Sequence, residues 1–300
     1  MTYLLGLVGH PVKHSLSPPM HEAALKFFGL AGSYNLLDVP PEQLAQTVPR
    51  LIADGYCGFN VTIPHKEAMF QLADRHTPEA ATAGAANTIK VGDGGTLTAH
   101  NTDIAGFERA LMAAILGNVA INNPQPTVRK GMGTACVVGA GGAARAALIT
   151  LPRLGFKKII VVARDAQKAR EALSQMELAD NLEVRSIPCE PISGDNVDLV
   201  VQTTPIGQRT NEIPGWFQNI VVQETSRSMK PLFFDMVYAR DREETPLVQF
   251  ARQRGWSAID GTNMLVNQAC LAFEFWTGHL PPFNLMKEAL KRARESNSIH

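Results

Sequence analysis

The sequence predicts an α/β protein of two domains. Short apolar runs alternate with helical patterns along most of the 300 residues, which is typical of parallel strands connected by helices. A hydrophobic fraction of 45% with 19% charged residues allows substantial cores, and this length favours two domains. Residues 117–133 are rich in Asn, Pro and Gly, which indicates a linker into a second unit.

Composition excludes several classes of partner. Twenty-eight basic residues balance 28 acidic ones, so nothing in the charge favours a nucleic acid. Four scattered cysteines offer neither a metal-binding pair nor a disulfide framework, which favours a reducing compartment. The first residues fit neither a signal peptide nor a membrane span, because Gly and His interrupt their apolar run. We therefore expect a cytoplasmic protein without nucleic-acid or membrane partners.

The first elements of the chain alternate between strand and helix. The apolar run Leu4–Val8 predicts a buried strand. Ser17 and Pro18 predict the N-cap and the first position of the helix that follows. A second extended run, Gly58–Ile63, precedes a helix that Pro64 opens. An α/β domain is therefore predicted to begin here.

A hairpin and a long helix follow. Residues 85–103 predict two strands joined around Asp93 and Gly94, a turn signal typical of hairpins. The apolar spacing from Ile104 onward predicts an amphipathic helix. The first stretch of the N-terminal domain is predicted to end at residue 103.

The second domain opens with a complete strand–turn–helix–strand unit. From Thr134 an apolar run, a glycine turn, a helix and another apolar run follow one another. The later apolar runs form a series typical of a parallel sheet: Glu183–Ile187, Asp198–Gln202, Leu232–Val237 and Trp256–Ile259.

Two helices are predicted after this sheet, at Asn263–Trp276 and Leu285–Arg294. Because they follow the last strand, they can pack back onto the first domain. This predicts a discontinuous domain of residues 1–103 and 263–300, interrupted by a dinucleotide-binding domain of residues 104–262.

A glycine motif predicts the dinucleotide site. Gly139, Gly141 and Ala144 match GxGxx(G/A) between a predicted strand and a predicted helix. In that context glycines let backbone N–H groups approach a pyrophosphate at the helix N-terminus, although a merely tight turn is the alternative. Arg164 ends the second strand, where the adenosine ribose is read, and a cation there suits a 2′-phosphate.

The residues after Arg164 leave the choice between NADP and NAD partly open. Lys168, four residues later, can add a second positive contact to a phosphate. Asp165 can instead accept a hydrogen bond from a free ribose hydroxyl and admit NAD. A third interpretation is that all three are solvated surface charges. The residues favour NADP, with NAD possible.

Lys66 lies in the first turn of the helix that Pro64 is predicted to open, and Asp103 stands at the start of another predicted helix. The positive end of the helix dipole disfavours an ammonium, so Lys66 is unusual there, and a proton exchange with a substrate hydroxyl competes with a surface role. Asp103, in HNTDIAGF, can simply complement the dipole of its helix.

Three further polar side chains are candidates for binding. Ser15 and Ser17 present two hydroxyls at a helix entrance that suits an anion, while capping is an equal explanation for Ser17. Gln268 shares a helix face with apolar residues, so its amide needs a protein or ligand partner. The histidines lack metal-ligand spacing, and no metal is predicted.

Eight segments together resemble the shikimate dehydrogenase family, in the family's order: GHPVKHSLSPPMH, GFNVTIPHKE, AANTI, HNTDIAGF, VVGAGGAARA, TTPIGQ, FDMVY and GTNMLVNQACLAFEFWTG. The resemblance implies an N-terminal α/β substrate domain, a Rossmann-type NADP domain, and a substrate cleft between them. It also implies an oxidoreductase that reversibly reduces 3-dehydroshikimate to shikimate with NADPH, in aromatic amino-acid (chorismate) biosynthesis.

The resemblance assigns roles to individual residues. Lys66 and Asp103 become the catalytic pair, in which Asp103 orients Lys66 and Lys66 exchanges the proton of the reacting hydroxyl. The implied substrate-binding residues are Ser15, Ser17, Asn60, Thr62, Asn87, Tyr238 and Gln268. The implied cofactor-binding residues are Gly139, Ala140, Gly141, Gly142, Ala143, Arg164, Lys168, Thr204, Met236, Gly261 and Met264.

Two other functions stay open. A quinate or dual quinate/shikimate dehydrogenase using NAD would share the fold and the catalytic pair, although two serines at Ser15 and Ser17 favour shikimate. A catalytically silent protein that senses a nucleotide and a metabolite is the alternative of a different class. The sequence leaves both a monomer and a homodimer open.

Overall fold

A computed structural model of the chain describes residues 2–117, 133–174, 176, 182–187, 197–208, 212–221, 231–239 and 244–297. The chain divides into two compact units, residues 1–106 with 266–300 (the first unit) and residues 107–265 (the second unit). The boundaries that the sequence predicts, after residue 103 and before residue 263, lie within one helical turn of these. Most of the predicted linker, residues 118–132, lies outside the described residues.

The first unit contains a mixed β-sheet with helices in its connections. Its strands are β1 (Tyr3–Gly9), β2 (Gly32–Asp38), β3 (Tyr56–Val61), β4 (Arg75–His76), β5 (Thr88–Val91) and β6 (Leu97–His100). Its helices before the first boundary are α1 (Ser17–Phe27), α2 (Leu44–Ala53), α3 (Lys66–Leu72), α4 (Pro78–Ala83) and the start of α5 (Asp103–Ile115).

The strand order of this sheet is β2-β1-β3-β5-β6-β4. Strand β1 runs parallel to β2 and β3, whereas β5 runs antiparallel to both β3 and β6. The turn between β5 and β6 contains Gly94 at φ 68°, a left-handed conformation that glycine adopts without strain. The hairpin predicted around Asp93 and Gly94 is therefore present.

Apolar side chains cover both faces of the first sheet. Leu5 and Leu7 of β1 belong to a cluster with Trp276, whereas Val8, one residue on, packs with Phe59 in the opposite cluster. This alternation follows from the two-residue period of a strand.

The indole N–H of Trp276 donates to the carbonyl oxygen of Ile89 at 2.8 Å. The approach requires Gly58, because a Cβ there would lie 2.4 Å from the indole. The last helices, α10 (Thr262–Thr277) from residue 266 onward and α11 (Phe283–Asn297), thus belong to the first unit.

The second unit contains a parallel sheet. Its strands are β7 (Thr134–Val138), β8 (Lys158–Ala163), β9 (Leu182–Ser186), β10 (Val197–Gln202), β11 (Leu232–Asp235) and β12 (Ser257–Ile259). Between them lie α6 (Gly142–Arg153), α7 (Ala166–Leu173), α8 (Gly215–Val221) and α9 (Pro246–Gln253).

The order β12-β11-β10-β7-β8-β9 is parallel throughout. Its direction of winding reverses between β7 and β10, which is the doubly wound arrangement of dinucleotide-binding proteins. The Rossmann-type sheet is therefore confirmed. Residues such as Val138, Val200 and Phe233 are completely buried, as expected of central strands covered on both faces.

Two predicted helix starts are wrong. Leu16, not Ser17, occupies the N-cap of α1, and Ser17 is the first helical residue. The Ser17 hydroxyl accepts a hydrogen bond from the Ser15 hydroxyl and makes no capping bond to the backbone. Helix α3 starts at Lys66 rather than at Pro64, because Pro64 lies in a turn in which the His65 N–H donates to the Thr62 carbonyl.

Within the described residues, no helix combines the length and the apolar character that a bilayer crossing demands. The same part of the chain contains no cluster of three or more metal-ligating side chains.

Candidate active site

A lysine and an aspartate from two helix starts form a close ion pair in the first unit. Lys66 is the first residue of α3 and Asp103 the first residue of α5. The Lys66 Nζ lies 2.6 Å from the Asp103 Oδ2, and the two side chains are only 19% and 12% exposed. The interpretation of Lys66 as a solvated surface lysine is therefore excluded. Asp103 uses its carboxylate on Lys66, which goes beyond a simple dipole role.

The segment 85–87 holds the two helix starts together. The Ala86 N–H donates to the Lys66 carbonyl at 2.9 Å. The Asn101 amide donates to the Ala85 carbonyl at 3.0 Å, and its oxygen accepts the Asp103 N–H at 3.1 Å. Because both helices are bonded to the same segment, the distance between their first residues is fixed.

A buried hydrogen-bond network links Asn87 to Thr102, the residue before Asp103, and links Asn60 to Asn87. The Asn87 amide donates to the Thr102 hydroxyl at 2.9 Å, and its oxygen accepts the Thr102 N–H at 2.8 Å. The Asn60 amide donates to the Asn87 carbonyl at 3.1 Å and to the Thr88 hydroxyl at 3.0 Å. The structure thus brings together two predicted substrate residues through backbone and side-chain bonds.

The two serines are connected to the same network by Tyr34. The Ser15 hydroxyl donates to the Ser17 hydroxyl at 3.2 Å. The Ser17 hydroxyl in turn interacts with the phenol of Tyr34 and lowers the pKa of that phenol, although burial has the larger and opposite effect. The Tyr34 hydroxyl donates to the Asn60 Oδ1 at 2.7 Å. Burial raises the pKa of Tyr34, so the phenol keeps its proton and acts as a donor.

Thr62 and Gln268 have other surroundings in the first unit. Thr62 follows β3 and is half-buried. Gln268 is also half-buried, and a Cβ added at Gly106 of α5 would lie 2.9 Å from the Cβ of Gln268. The glycine in α5 therefore allows the Gln268 backbone to approach the helix that Asp103 begins.

The glycine loop of the second unit fits a bound phosphate group. Gly139 has φ +111°, and a Cβ there would lie 2.5 Å from the Thr203 Oγ1. Gly141 is the N-cap of α6, and a Cβ there would meet no atom within 4 Å. In the described part of the chain no side chain caps α6 and no acidic residue stands in its first turn. Because the first N–H groups of a helix have no partner within it, those of Gly142 and Ala143 can bind an anion at this helix start. Ala140 lies between the two glycines.

Arg164 and Lys168 follow this loop in the sequence, after β8. Both side chains are exposed, and among the described residues neither cationic group has a partner. Asp165 is the N-cap of α7, and its Oδ1 accepts the Lys168 N–H at 3.0 Å. One of the carboxylate oxygens is therefore used by the helix, while both cations are available to an anion.

The other predicted cofactor residues follow the carboxyl ends of β10, β11 and β12. The Thr204 N–H bonds to the buried side chain of Gln202. A Cβ at Gly261 would lie 2.3 Å from the Met236 carbonyl oxygen, so only glycine fits there. Met264 is buried three residues later, in the first turn of α10. In a doubly wound sheet this edge is the ligand-binding edge.

Tyr238 lies on the same edge of the second unit and is half-buried. The other predicted substrate residues belong to the first unit. Sequence reasoning missed Asn101, Thr102, Thr88 and Tyr34. The run HNTD before α5 is a polar signal for Asn101 and Thr102, whereas nothing in GSYNLLD singles out Tyr34.

A buried carboxyl group supports the loop that contains Met236. Asp235 is completely buried, and its two oxygens accept the Val237 N–H at 3.0 Å and the Thr245 hydroxyl at 2.6 Å. These bonds favour the charged form, but burial outweighs them, with a smaller contribution from Asp260, and raises the pKa of Asp235 to about 8.

This pKa predicts that stability falls with rising pH. Between about pH 4 and pH 8 the folded protein keeps the proton of Asp235, whereas the unfolded chain has lost it. The free energy of unfolding therefore decreases through this range, by at most about 1.4 kcal/mol per pH unit from this group. Urea unfolding at pH 5 and pH 8 measures it. We expect Asp235→Asn, which does not titrate, to lose less stability over this interval than the wild type, and equal losses would contradict the assignment.

The fold and the two sets of residues define a class. The second unit has a doubly wound parallel sheet with a glycine loop, and the first unit holds a partly buried Lys–Asp pair. This combination is typical of a dinucleotide-dependent oxidoreductase. Comparison with known proteins makes the class narrower. The profile of the shikimate dehydrogenase substrate binding domain matches residues 7–89, and that of the shikimate 5'-dehydrogenase C-terminal domain matches residues 261–291.

Relatives match over nearly the whole chain. A shikimate dehydrogenase (NADP(+)) of Methanopyrus kandleri is 36% identical over 297 residues, which cover 96% of this chain and 95% of that protein. The chain belongs to the shikimate dehydrogenase family.

The fold is also similar to solved structures of dehydrogenases. The shikimate 5-dehydrogenase of Thermus thermophilus, in complex with NADP(H) and shikimate, has a TM-score of 0.74 and 31% identity, and covers 97% of this chain and 100% of its own. A quinate dehydrogenase from Corynebacterium glutamicum, in complex with NAD, has a TM-score of 0.77 and 28% identity, and covers 97% of this chain and 99% of its own.

Proposed function

We propose that this protein is an NADP-dependent shikimate dehydrogenase, which reversibly reduces 3-dehydroshikimate to shikimate in aromatic amino-acid biosynthesis. The observation that carries the proposal is the Lys66–Asp103 pair at 2.6 Å, held by segment 85–87 beside two asparagines. Membership of the family indicates shikimate as the substrate. The hydroxyl, amide and ammonium groups of the site suit its carboxylate and its ring hydroxyls.

Lys66 exchanges the proton of the reacting oxygen. During reduction the ammonium of Lys66 donates a proton to the carbonyl oxygen that becomes the hydroxyl, and during oxidation the neutral amine accepts it. Asp103 holds Lys66 through the bond to its Nζ and prevents the flexible lysine side chain from turning away. When bound, the cofactor would supply or accept the hydride at the carbon that bears the reacting oxygen.

The remaining residues of the first unit bind and orient the substrate. Ser15 and Ser17 bind its carboxylate through their hydroxyls, and the amide of Asn87 binds a ring hydroxyl together with Asp103. Asn60, Thr62 and Gln268 border the ring, and Tyr238 is a further proposed substrate-binding residue. Polar groups held in this way discriminate against analogues that lack the matching hydroxyl, because they would then stay unpaired.

The second unit binds NADP. The first-turn N–H groups of Gly142 and Ala143 bind the pyrophosphate, and Arg164 with Lys168 binds the 2′-phosphate. Thr204, Met236, Gly261 and Met264 border the nicotinamide. The capping bond of Asp165 to α7 supports NADP over NAD, since this carboxylate already has a partner.

We further propose that the protein works in the cytoplasm, as a monomer or a homodimer, on small molecules alone. The balanced charge and the scattered cysteines support this.

The test is direct formation of product. The purified protein is incubated with 3-dehydroshikimate and NADPH, and the products are separated and identified by mass. We expect shikimate in an amount equal to the NADPH consumed. A protein that binds NADPH and forms no product from 3-dehydroshikimate would be the silent sensor instead.

A further inference from the structure

The two ends of the proposed substrate site are joined by polar side chains whose hydrogen bonds all point the same way. Ser15 donates to Ser17, the Ser17 hydroxyl interacts with the Tyr34 phenol, and Tyr34 donates to the Oδ1 of Asn60. The Asn60 amide then donates to Thr88. The Thr88 hydroxyl donates in turn to the Asn87 Oδ1 at 3.0 Å.

Tyr34 is the only link in this chain that joins the serines to the asparagines among the described residues. Its hydroxyl has one proton, which goes to Asn60, so towards Ser17 its oxygen can only accept. The Asn60 amide nitrogen is fully used on the Asn87 carbonyl and on Thr88, so its oxygen must face Tyr34. One phenol therefore sets the orientation of a hydroxyl on one side and of an amide on the other.

The Tyr34 ring is itself held by aromatic packing. His21 of α1 stacks on it with ring centroids 4.3 Å apart and planes within 4° of parallel. His21 is fully buried, and neither of its ring nitrogens has a hydrogen-bond partner in the described part of the chain. Burial lowers the pKa of His21 to about 3, so the ring is neutral and acts as a flat apolar surface. This contact fixes the phenol with its hydroxyl towards Asn60.

We propose that Tyr34 is a positioning residue that couples Ser17 to Asn60, so that the carboxylate end and the hydroxyl end of the substrate are recognised together. The proposal rests on the proposed function, because it concerns the same substrate site. Tyr34 does not touch the Lys66–Asp103 pair in this chain of bonds, and its effect is on binding rather than on proton transfer. A network that orders both ends beforehand saves the ordering cost at binding.

The test replaces Tyr34 by Phe, which removes one oxygen and keeps the ring stacked on His21. In Tyr34→Phe the buried Asn60 Oδ1 loses its donor and its amide loses a fixed orientation. We expect KM for shikimate to rise by roughly fivefold to fiftyfold while kcat changes by less than about threefold. Thermal melts check that the variant is folded.

Tyr56→Phe is the matched control. Tyr56 is a buried tyrosine of β3 in the same unit, and its oxygen accepts a hydrogen bond from Asn35 at 3.2 Å, outside the chain of donors. A general loss of stability from removing a buried phenol oxygen affects both variants. Only a positioning role raises KM for shikimate in Tyr34→Phe while KM in Tyr56→Phe stays within about twofold of the wild-type value.

A double-mutant cycle with Ser17→Ala tests the coupling. Because Tyr34 acts partly through Ser17, Tyr34→Phe should raise KM less in the Ser17→Ala background than in the wild type. If the double variant raised KM by the product of the two single-variant factors, the coupling would be overturned. An unchanged KM in Tyr34→Phe, or equal rises of KM in Tyr34→Phe and Tyr56→Phe, would overturn it as well. These outcomes require a wild type that oxidises shikimate, whereas a wild type without turnover overturns the proposed function and the coupling with it.

Discussion

Replacing Lys66 by Ala is expected to lower kcat by about 10² to 10⁴ while KM for shikimate changes much less. The reason is that Lys66 exchanges the proton of the reacting oxygen and does so in the transition state. Steady-state rates of shikimate oxidation, followed by the absorbance of the reduced nicotinamide, measure the effect. A change in KM with kcat preserved would contradict this role.

Two further lysine variants make the result specific. Lys66→Arg keeps a positive charge beside Asp103, but a guanidinium does not release its proton, so we expect it to be nearly as inactive as Lys66→Ala. Lys90→Ala is the matched control: Lys90, on β5 of the same unit, is half-buried and donates to the Phe275 carbonyl at 2.9 Å. We expect its kcat to stay close to that of the wild type. If Lys66→Arg were active, charge rather than proton exchange would explain Lys66.

Replacing Arg164 and Lys168 together by Ala is expected to remove the preference for NADP. Each hydrogen bond from a cation to the 2′-phosphate is worth about 1.5–3 kcal/mol, so KM for NADP should rise by roughly 10-fold or more for each residue lost. KM for NAD should change little, since NAD has no phosphate there. Steady-state rates with each cofactor at saturating shikimate give both values.

Arg170→Ala is the control for this pair. Arg170 is an exposed residue of the same helix, α7, and its guanidinium donates to the Val184 carbonyl at 3.0 Å. Arg170→Ala removes a positive charge from the helix of Lys168 without removing a proposed contact to the cofactor, so KM for NADP should stay nearly constant. Equal rises for NADP and NAD in the double variant would place Arg164 and Lys168 outside the phosphate site.

Much of the second unit could be predicted from local sequence. Central parallel strands are buried on both faces, so runs such as Ile159–Val162 are continuously apolar and easy to recognise. The glycine loop carries its own signal, because Gly139 needs both a positive φ and the absence of a Cβ.

The wrong helix start at Ser17 has a tertiary cause. Ser17 followed by proline has the local pattern of a cap, yet its hydroxyl interacts with Tyr34 of the next strand, β2. Local patterns report on backbone bonds within a few residues, and a tertiary hydrogen bond overrides them.

The candidate site shows the same division. Lys66 and Asp103 attract attention as charges at helix starts, but their pairing depends on the bonds that segment 85–87 makes to both helices. Tyr34 carried no sequence signal, since a tyrosine in a strand is ordinary and its importance comes from contacts across the sheet. Residues whose role depends on long-range contacts cannot be recognised from one sequence by periodicity or capping rules.

We expect this chain to oxidise shikimate with NADP. The most direct measurement is kcat/KM for shikimate and for quinate, each with NADP and with NAD, from the absorbance of the reduced nicotinamide. We expect kcat/KM to be higher for shikimate with NADP than for the other three combinations, because two serines bind the carboxylate end and two exposed cations suit the 2′-phosphate. A quinate rate equal to or above the shikimate rate, or turnover with NAD comparable to that with NADP, would contradict it.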